Sequence, residues 1–392
     1  MKTRRLFLIG VLFISIVLGW APWLKAVTLN ELVAAARKEG TIEFYGPSTL
    51  TPQGAQALAE AFNRKYGLNI KLNYSPAGDM PGDVAKIVAR SATGVAPEWD
   101  LMVVTDAHHA TLWVRKLHET FDYKALGVDP RVIHYDNGTT SVAHQIVLPA
   151  YNKKNLPAKD VPKSWEDLLD PKWKGGKLGI TNAAHHFSRL AAGPWGEKKA
   201  TEYVRALVKQ EASLGLLGQT YTRLQVGEIL VAVTLTDSFV HRAKKTGAPI
   251  VHAEGIEPVI APAYHAGVPK GAPHPNVGHL FAVFLNSLEA QEVWEKFGGQ
   301  SSAFVPGTTV YKYAQKHQMV YMTQDRAPLS NCAVEEPPSW SRPHSTGRAR
   351  LRTSDYRRYD SWHEPIGRSR ERASRGSLAY RLRPEGLPPE ET

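Results

Sequence analysis

Cysteine is almost absent from this sequence of 392 residues, in which Cys332 is the only one. The chain before Cys332 therefore has no disulfide, no thiolate metal site and no cysteine nucleophile. Several enzyme signatures are also missing: GxSxG, the P-loop and a GxGxxG after a strand do not occur, and the 15 histidines include no HExxH. These absences argue against catalysis, and no resident cofactor is expected.

An excess of charge of one sign is also missing from most of the chain. The formal net charge is +11, but residues 27–325 contain 31 Lys and Arg against 28 Asp and Glu, a net charge of only +3. Nucleic-acid-binding domains carry a dense basic surface. We therefore predict no nucleic-acid partner for this part of the chain.

Only the N-terminus has a long hydrophobic run. Lys2, Arg4 and Arg5 precede an apolar stretch from Leu6 to Trp20, and the small residue Ala26 offers a cleavage site. This order is typical of an export signal, so residues 1–26 are predicted to be a signal peptide and the protein to be periplasmic. The apolar core favours the general secretory route over the twin-arginine route. An uncleaved membrane anchor is the alternative, because residues 6–24 are just long enough to span a bilayer.

The C-terminal segment, residues 326–392, has a different composition from the rest. It contains 13 Arg and no Lys, whereas residues 1–325 contain 11 Arg and 24 Lys. The segment is rich in Pro, Ser and Gly without apolar periodicity, which predicts disorder. A basic arm for nucleic acid or an anionic membrane is one interpretation. The abrupt change from Lys to Arg favours the other, an extension that is not native.

The body of the chain alternates strand and helix patterns. Strands are predicted at 41–46, 68–74 and 99–104, each followed by a helical pattern. A second set of strands and helices follows, with a short helix predicted at 164–176. Such alternation indicates α/β lobes with mostly parallel sheets. Two long extended runs, 139–151 and 257–268, bracket the second set and are predicted to cross between two lobes. The first lobe is expected to comprise 27–140 plus 266–325, and the second 141–265 with the hinge strands.

The predicted strand ends are rich in polar residues. Ligands of open α/β sheets bind at the carboxyl ends of strands, where helix N-termini offer free N–H groups. The side chains expected to face a cleft there are Ser48, Thr49, Asp79, Asp106, His185, His186, Asp237 and Ser238. Each aspartate that begins a helix has helix capping as an alternative role. A lone histidine is more often structural than a ligand, and adjacent histidines diverge, so at most one of each His pair is expected to serve.

Several stretches resemble the extracellular solute-binding proteins of ABC importers, in the branch that includes ferric-iron binders. The resemblance covers roughly residues 28–323, and its most specific part is "LPAYNKKNLPAKDVPKSWEDLLDPKWKGGKLGITN" at 148–182. It implies a type II periplasmic-binding-protein fold, with two mixed α/β lobes that close on one small solute. It further implies a membrane permease as partner and a monomeric protein.

The ferric-iron pattern is only partly present. The resemblance implies a histidine in the first strand-end loop, which here is "GPSTLT", and two adjacent tyrosines where this chain has Asp237 and Ser238. The acidic residue expected after the third strand is present as Asp106. If a metal binds, Asp106 and Asp237 are its expected ligands, with Tyr221 or Tyr264 as a nearby phenol.

The sequence therefore predicts a solute-binding component of an ABC import system. A small organic or oxyanion solute is favoured slightly over ferric ion, since the tyrosine pair is missing. A secreted hydrolase or lyase on a similar two-lobed scaffold is the alternative, and stoichiometric retention of a ligand without turnover would distinguish the two.

Overall fold

The computed structural model describes residues 27–183 and 185–321. The predicted signal peptide at 1–26 and the Arg-rich segment at 326–392 lie outside the described residues. The described helices are α1 Leu29–Glu39, α2 Thr51–Tyr66, α3 Met80–Ala92, α4 Asp106–Trp113, α5 His185–Ala192, α6 Gly196–Val208, α7 Leu217–Val226, α8 Asp237–Thr246, α9 Pro275–Leu285, α10 Leu288–Gly298 and α11 Thr309–Ala314. The described strands are β1 Thr41–Pro47, β2 Lys71–Ala77, β3 Leu101–Thr105, β4 Ile133–His134, β5 Thr139–His144, β6 Val147–Asn152, β7 Leu178–Thr181, β8 Ser213–Gly215, β9 Val231–Thr236, β10 Ile250–His252, β11 Val259–Ile260, β12 Ala263–Gly267 and β13 Met319–Val320.

Local sequence signals fix many of the helix ends. Thr28 and Glu31 form a capping box at the start of α1, in which each side chain bonds the other residue's backbone N–H. The same helix ends at Gly40, whose φ of 70° is a left-handed conformation that glycine adopts without strain. The chain then turns directly into β1, the first strand of the first lobe.

The first lobe is built on a six-stranded sheet with the order β2-β1-β3-β12-β5-β4. Strands β1, β2 and β3 run parallel, and β12 runs antiparallel to β3 and β5, so the sheet is mixed. Helix α9 packs on this sheet with a nearly all-apolar surface, and its Phe281 contacts both Phe44 of β1 and Phe62 of α2 edge to face. The carboxyl end of β3 leads directly into α4 at Asp106.

The second lobe contains a seven-stranded sheet, in which six strands follow the order β13-β11-β6-β9-β7-β8 and the seventh, β10, pairs with β6. Strand β7 is parallel to β8 and β9, and β6 is antiparallel to β9. The segment at 164–176, predicted to be a short helix, forms two 3-10 turns whose Trp165 and Trp173 are buried in this lobe's core. The prolines and glycines around these turns prevent a longer helix.

Three stretches of chain cross side by side between the lobes. The backbone N–H of His144 donates to Ser301 O at 2.9 Å, and that of Gln145 donates to Pro262 O at 2.8 Å. The sequence predicts the first two crossings but not the third, at 300–302. This third crossing exists because β13 pairs with β11 at the edge of the second sheet, although residues 266–325 were expected in the first lobe. The division of the whole chain into lobes otherwise stays a prediction.

Candidate solute site between the lobes

An ion pair joins the two lobes at their centre. Asp106 is the first residue of α4, directly after β3 of the first lobe, and Arg189 lies on α5, after β7 of the second. The Arg189 guanidinium donates to Asp106 Oδ1, and the two side chains are only 5% and 1% exposed. Burial raises the pKa of Asp106, and the guanidinium opposes this effect. A charge-assisted contact that water cannot reach therefore spans the boundary between the lobes.

Neutral histidines surround this ion pair. His186, on the same helix as Arg189, is 2% exposed, and its pKa falls to about 3 because of burial and the neighbouring guanidinium. Burial also lowers the pKa of His144 to about 3 and that of His265 well below its usual value, and Arg189 contributes to both shifts. Arg189 is thus a fixed positive charge beside three histidines, His144, His186 and His265, that are uncharged at neutral pH.

The first lobe holds the main chain of Asp106 in place. The hydroxyl of Tyr135, which is 1% exposed, donates to the carbonyl oxygen of Asp106 at 2.7 Å. Tyr135 stands in the turn between β4 and β5, so the hairpin and α4 are tied together at the start of that helix. The Asp106 carboxylate is therefore positioned before any solute arrives.

Asp237 forms a second buried acidic position. It begins α8, and its Oδ1 accepts from the side-chain amide of Gln300 at 3.0 Å and from the backbone N–H of Ser238 at 3.0 Å. Its Oδ2 is buried and has no partner among the described residues. Burial raises the pKa of Asp237 to about 7, so the carboxyl is close to half protonated at neutral pH. It can offer either an acceptor or an O–H donor to a bound molecule.

Tyr264 is a buried residue of β12 that packs in the hydrophobic core of the first lobe. It lies on β12 directly opposite Thr105, the residue before Asp106. Burial raises the pKa of the Tyr264 phenol, and the charge of Asp237 adds to this effect. The phenol is therefore neutral at physiological pH and is available as a hydrogen-bonding group rather than as a phenolate.

The other predicted site residues divide into four groups. Thr49 has a buried hydroxyl oxygen for which the described part of the chain offers no partner, and the Ser238 hydroxyl bonds that of Thr236 at 2.8 Å, so both remain candidates. Ser48 and Asp79 are exposed, and Asp79 caps α3 by accepting from Gly82 N at 3.2 Å. Tyr221 is a core residue of the second lobe, with its ring 5.1 Å from that of Phe239. The side chain of His185 lies outside the described part of the chain.

Sequence reasoning missed two residues of this region. Arg189 ends the stretch "TNAAHHFSR" at 181–189, from which the sequence analysis took only His185 and His186 as site residues. Its position three residues after His186 on one helix was the available signal, because such residues share a face. Gln300 carried no local signal, since it reaches Asp237 only through the third crossing between the lobes.

The described residues provide no ready metal site. Among residues 27–183 and 185–321, no group of three or more His, Cys, Asp or Glu side chains is arranged to hold a metal ion. Over the same residues, none of the helices combines the length and apolar character needed to cross a membrane. The polar groups at the lobe boundary are instead one guanidinium, two carboxyls, neutral imidazoles and a phenol.

Two bacterial proteins are similar in sequence to this chain. The major ferric iron-binding protein of Neisseria gonorrhoeae is 23% identical over 251 residues, which are 61% of this chain and 74% of that protein. A protein of Haemophilus influenzae is 30% identical over 164 residues, which are 39% of this chain and only 45% of the relative's length.

Solved structures share the fold at low identity. Iron-bound HitA from Pseudomonas aeruginosa superposes with a TM-score of 0.59 at 18% identity, covering 74% of this chain and 97% of that one. AfuA from Actinobacillus pleuropneumoniae, with fructose-6-phosphate bound, gives a TM-score of 0.57 at 21% identity, covering 74% and 93%. These likenesses confirm the predicted two-lobed type II periplasmic-binding-protein fold.

A family model for bacterial extracellular solute-binding proteins matches residues 57–317, which is more than half of the chain. The resemblance to the ABC-transporter branch that includes ferric-iron binders is confirmed by the relatives above. The chain belongs to the bacterial extracellular solute-binding protein family.

Proposed function

We propose that this chain is the periplasmic solute-binding component of an ABC import system, which captures one small solute between its lobes and delivers it to a membrane permease. It acts as an exported monomer, without catalysis, a resident cofactor or a nucleic-acid partner. The observation that carries the proposal is the meeting of Asp106 and Arg189 across the lobe boundary. A binding protein of this fold needs polar groups that both lobes present to one enclosed point.

The favoured solute is an organic molecule or oxyanion rather than a bare ferric ion. Arg189 engages Asp106, the one acidic position that the ferric-iron resemblance implies and this chain retains. A guanidinium at that point repels a metal cation and binds carboxylate or phosphate oxygens well. The hydrogen-bonding groups of Asp237 and Tyr264 suit hydroxyl groups on the same solute. Two proteins that share the fold, HitA with iron bound and AfuA with fructose-6-phosphate bound, indicate that this fold accommodates both classes of solute.

The first experiment is native mass spectrometry of the full chain, purified from its own host without refolding, alongside elemental analysis. We expect a near-stoichiometric organic mass and no stoichiometric iron. Retention of the ligand without conversion over hours distinguishes a binding protein from the hydrolase or lyase. Stoichiometric iron would contradict the solute class, while a protein that converts the molecule would contradict the transport role.

Site placement is tested with the solute identified in this way. Arg189→Ala, Asp106→Ala and Asp237→Ala are each expected to weaken its binding by tenfold or more, as measured by calorimetry. Arg131→Ala is the control, because Arg131 is an exposed cation paired with Asp129 on the surface. Unchanged affinity in all three buried variants would contradict the site. Deleting the gene and finding normal uptake of the solute would contradict the delivery role.

A further inference from the structure

Four histidines pack together in the first lobe, beside α4. His109 lies on α4 three residues after Asp106, His118 follows this helix, His134 ends β4 and His265 lies on β12. All four are buried. The ring of His109 lies 5.2 Å from that of His118, and the ring of His134 lies 4.6 Å from that of His265. We call these four residues the histidine network.

Hydrogen bonds fix which nitrogens of this network carry protons. The backbone carbonyl of His265 can only accept, so the 2.9 Å contact with His109 Nε2 makes that nitrogen the donor. In the neutral ring Nδ1 is then an acceptor, and it receives a hydrogen bond of 3.0 Å from His118 Nε2–H. A proton added to His109 Nδ1 would therefore meet this N–H group unless the proton of His118 moved to its own Nδ1. An extra proton on either ring thus requires an N–H group at His118 Nδ1.

No acceptor is in place for an N–H group at that nitrogen. His118 Nδ1 is buried, and residues 27–183 and 185–321 offer it no partner. The rings are also closely packed: a Cβ atom added to Gly267 would lie 2.7 Å from His109 Cε1, and one added to Gly138 would lie 2.9 Å from His118 Cβ. Such packing gives water little access to a new charge. A buried charge or donor without a partner costs free energy, so protonation opposes the closed packing of the network.

The charges around the network do not offset this cost. The charged and titratable groups that face it are His108 on α4, His144 on β5, Tyr135 and Asp136 after β4, Glu119, Lys116 and Lys270 beside His118, and the ion pair of Asp106 and Arg189. Arg189 disfavours a positive charge on His265, and the Asp106 carboxylate is already engaged by that guanidinium. The carboxylates of Asp136 and Glu119 each accept a hydrogen bond of 2.8 Å from another group, and the exposed lysines repel a further positive charge.

The pKa shifts agree with this geometry. Burial lowers the pKa of His118 to about 4 and that of His109 well below its usual value, and the His118 imidazole adds to the second shift. Burial, together with His134 and His109, also lowers the pKa of His265 well below its usual value. A solvated histidine titrates near pH 6.5. The closed network binds fewer protons than an opened one, so its stabilising contribution is present above about pH 6.5 and is lost as the pH falls below it.

The network is coupled to the lobe boundary in two ways. His109 belongs to the same short helix as Asp106. The ring of Tyr135 lies nearly parallel to that of His118 at 6.3 Å, and its hydroxyl donates to the Asp106 carbonyl oxygen at 2.7 Å. Asp106 in turn accepts from Arg189 of the second lobe. Loosening the network therefore loosens both supports that hold Asp106 against the second lobe.

We propose that the histidine network is an acid-sensitive clamp on the lobe boundary. At neutral pH its uncharged rings hold α4 and the turn after β4 together. Below about pH 6, protonation of His109 and His118 opens this packing locally, shifts the start of α4 and releases Asp106 from Arg189. The clamp is a property of the packed chain alone, so it depends neither on the identity of the solute nor on the transport role proposed above.

The test is hydrogen exchange of the full chain, followed by mass spectrometry at pH 7.5 and pH 5.0 and corrected for the intrinsic pH dependence of exchange. A histidine that titrates near 6.5 when open and near 4 when closed favours opening about 30-fold at pH 5. We therefore expect peptides covering 106–118, 133–140 and 185–192 to exchange at least tenfold faster at pH 5.0. They should also exchange faster than α2, which lies outside the network. Acceleration below threefold, or no faster exchange than in α2, would overturn the proposal, because the latter indicates unfolding of the whole protein. Acceleration at 106–118 without any at 185–192 would overturn the release of Arg189.

Variants then assign the effect to the network. The double variant His109→Gln/His118→Gln keeps N–H donors and an oxygen acceptor but cannot titrate, so its acceleration at 106–118 should be at least fivefold smaller than in the parent. His279→Asn is the matched control, because His279 is also buried in the first lobe but contacts Tyr123 and Phe121 instead. Its acceleration at 106–118 should stay within twofold of the parent. Thermal unfolding at pH 7.5 reports whether the double variant folds, and His118→Gln alone, with the same expected direction, replaces it if it does not. Equal acceleration in the parent and the glutamine variant would show that other groups cause the opening.

Discussion

The guanidinium of Arg189 on α5 donates to the carboxylate of Asp106 at the start of α4, so a helix of the second lobe is bound to a strand end of the first. The two residues are 83 positions apart in the sequence. Both are almost fully buried, and each would be an uncompensated charge if the other were removed. The pair therefore matters both for stability and for the approach of a charged solute.

The contribution of this pair to the stability of the protein can be measured by a double-mutant cycle. Arg189→Met alone leaves a buried carboxylate without its partner and is expected to lower the free energy of unfolding by about 3–5 kcal/mol. Adding Asp106→Asn removes the stranded charge and should recover a large part of that loss. Denaturant unfolding of the two single variants and the double variant gives the coupling energy.

The control for this cycle is the surface pair of Arg131 and Asp129. Arg131 is 62% exposed, so Arg131→Gln should cost no more than about 1 kcal/mol. Equal costs for Arg189→Met and Arg131→Gln would show that the central pair is not buried in solution.

Asp237 should make stability depend on pH. Its pKa is about 7 in the folded protein, above the value of about 3.9 in an unfolded chain. The folded state holds a proton that the unfolded state loses between these values, so this carboxyl destabilises the fold progressively as pH rises from about 4 to 7. Asp237→Asn removes the titration and keeps an oxygen for Gln300. It is expected to gain stability over the parent, up to about 4 kcal/mol above pH 7.

Urea unfolding at pH 5 and pH 8 checks this expectation, because the advantage of Asp237→Asn should be several times larger at pH 8. Asp129→Asn is the comparison variant, and the change in stability expected for it has the opposite sign. Its guanidinium partner lowers the pKa of Asp129, so the pair's contribution is present at both pH values and the variant should lose a little stability. A pH-independent difference for Asp237→Asn would mean that its carboxyl is not buried in the folded protein.

Tyr221→Phe should not affect solute binding. Tyr221 was considered at the sequence level as a phenol near the site, but its ring packs in the core of the second lobe against Phe239. We expect the affinity for the native solute to change less than twofold, by calorimetry, and the unfolding free energy to change by less than about 1 kcal/mol. A tenfold loss of affinity would place its hydroxyl in the site after all.

Asp79→Ala separates capping from binding. Asp79 is exposed and accepts from the backbone of α3, so its loss should cost about 1 kcal/mol of stability. Solute affinity should stay within twofold, while Asp79→Asn, which can still cap, should keep the stability as well. If both substitutions weaken binding, the Asp79 carboxylate contacts the solute.

Much of the fold could be predicted from local sequence, since its signals act over a few residues. The β-α alternation, the glycines that end α1 and α2, and the polar strand ends all depend on near neighbours. Asp106 and Asp237 were placed at helix starts for the same reason, and both begin helices in the structure. The 3-10 turns at 166–173 were missed because prolines and glycines interrupt a pattern that otherwise resembles a helix.

The sequence by itself determined the two α/β lobes and the family, because hydrophobic periodicity and short motifs are local properties. Only the tertiary structure decided that Arg189 meets Asp106 and that Gln300 reaches Asp237 on a third crossing. Those contacts join residues 83 and 63 positions apart. Burial then sets their protonation, and burial depends on how the whole chain packs rather than on neighbouring residues.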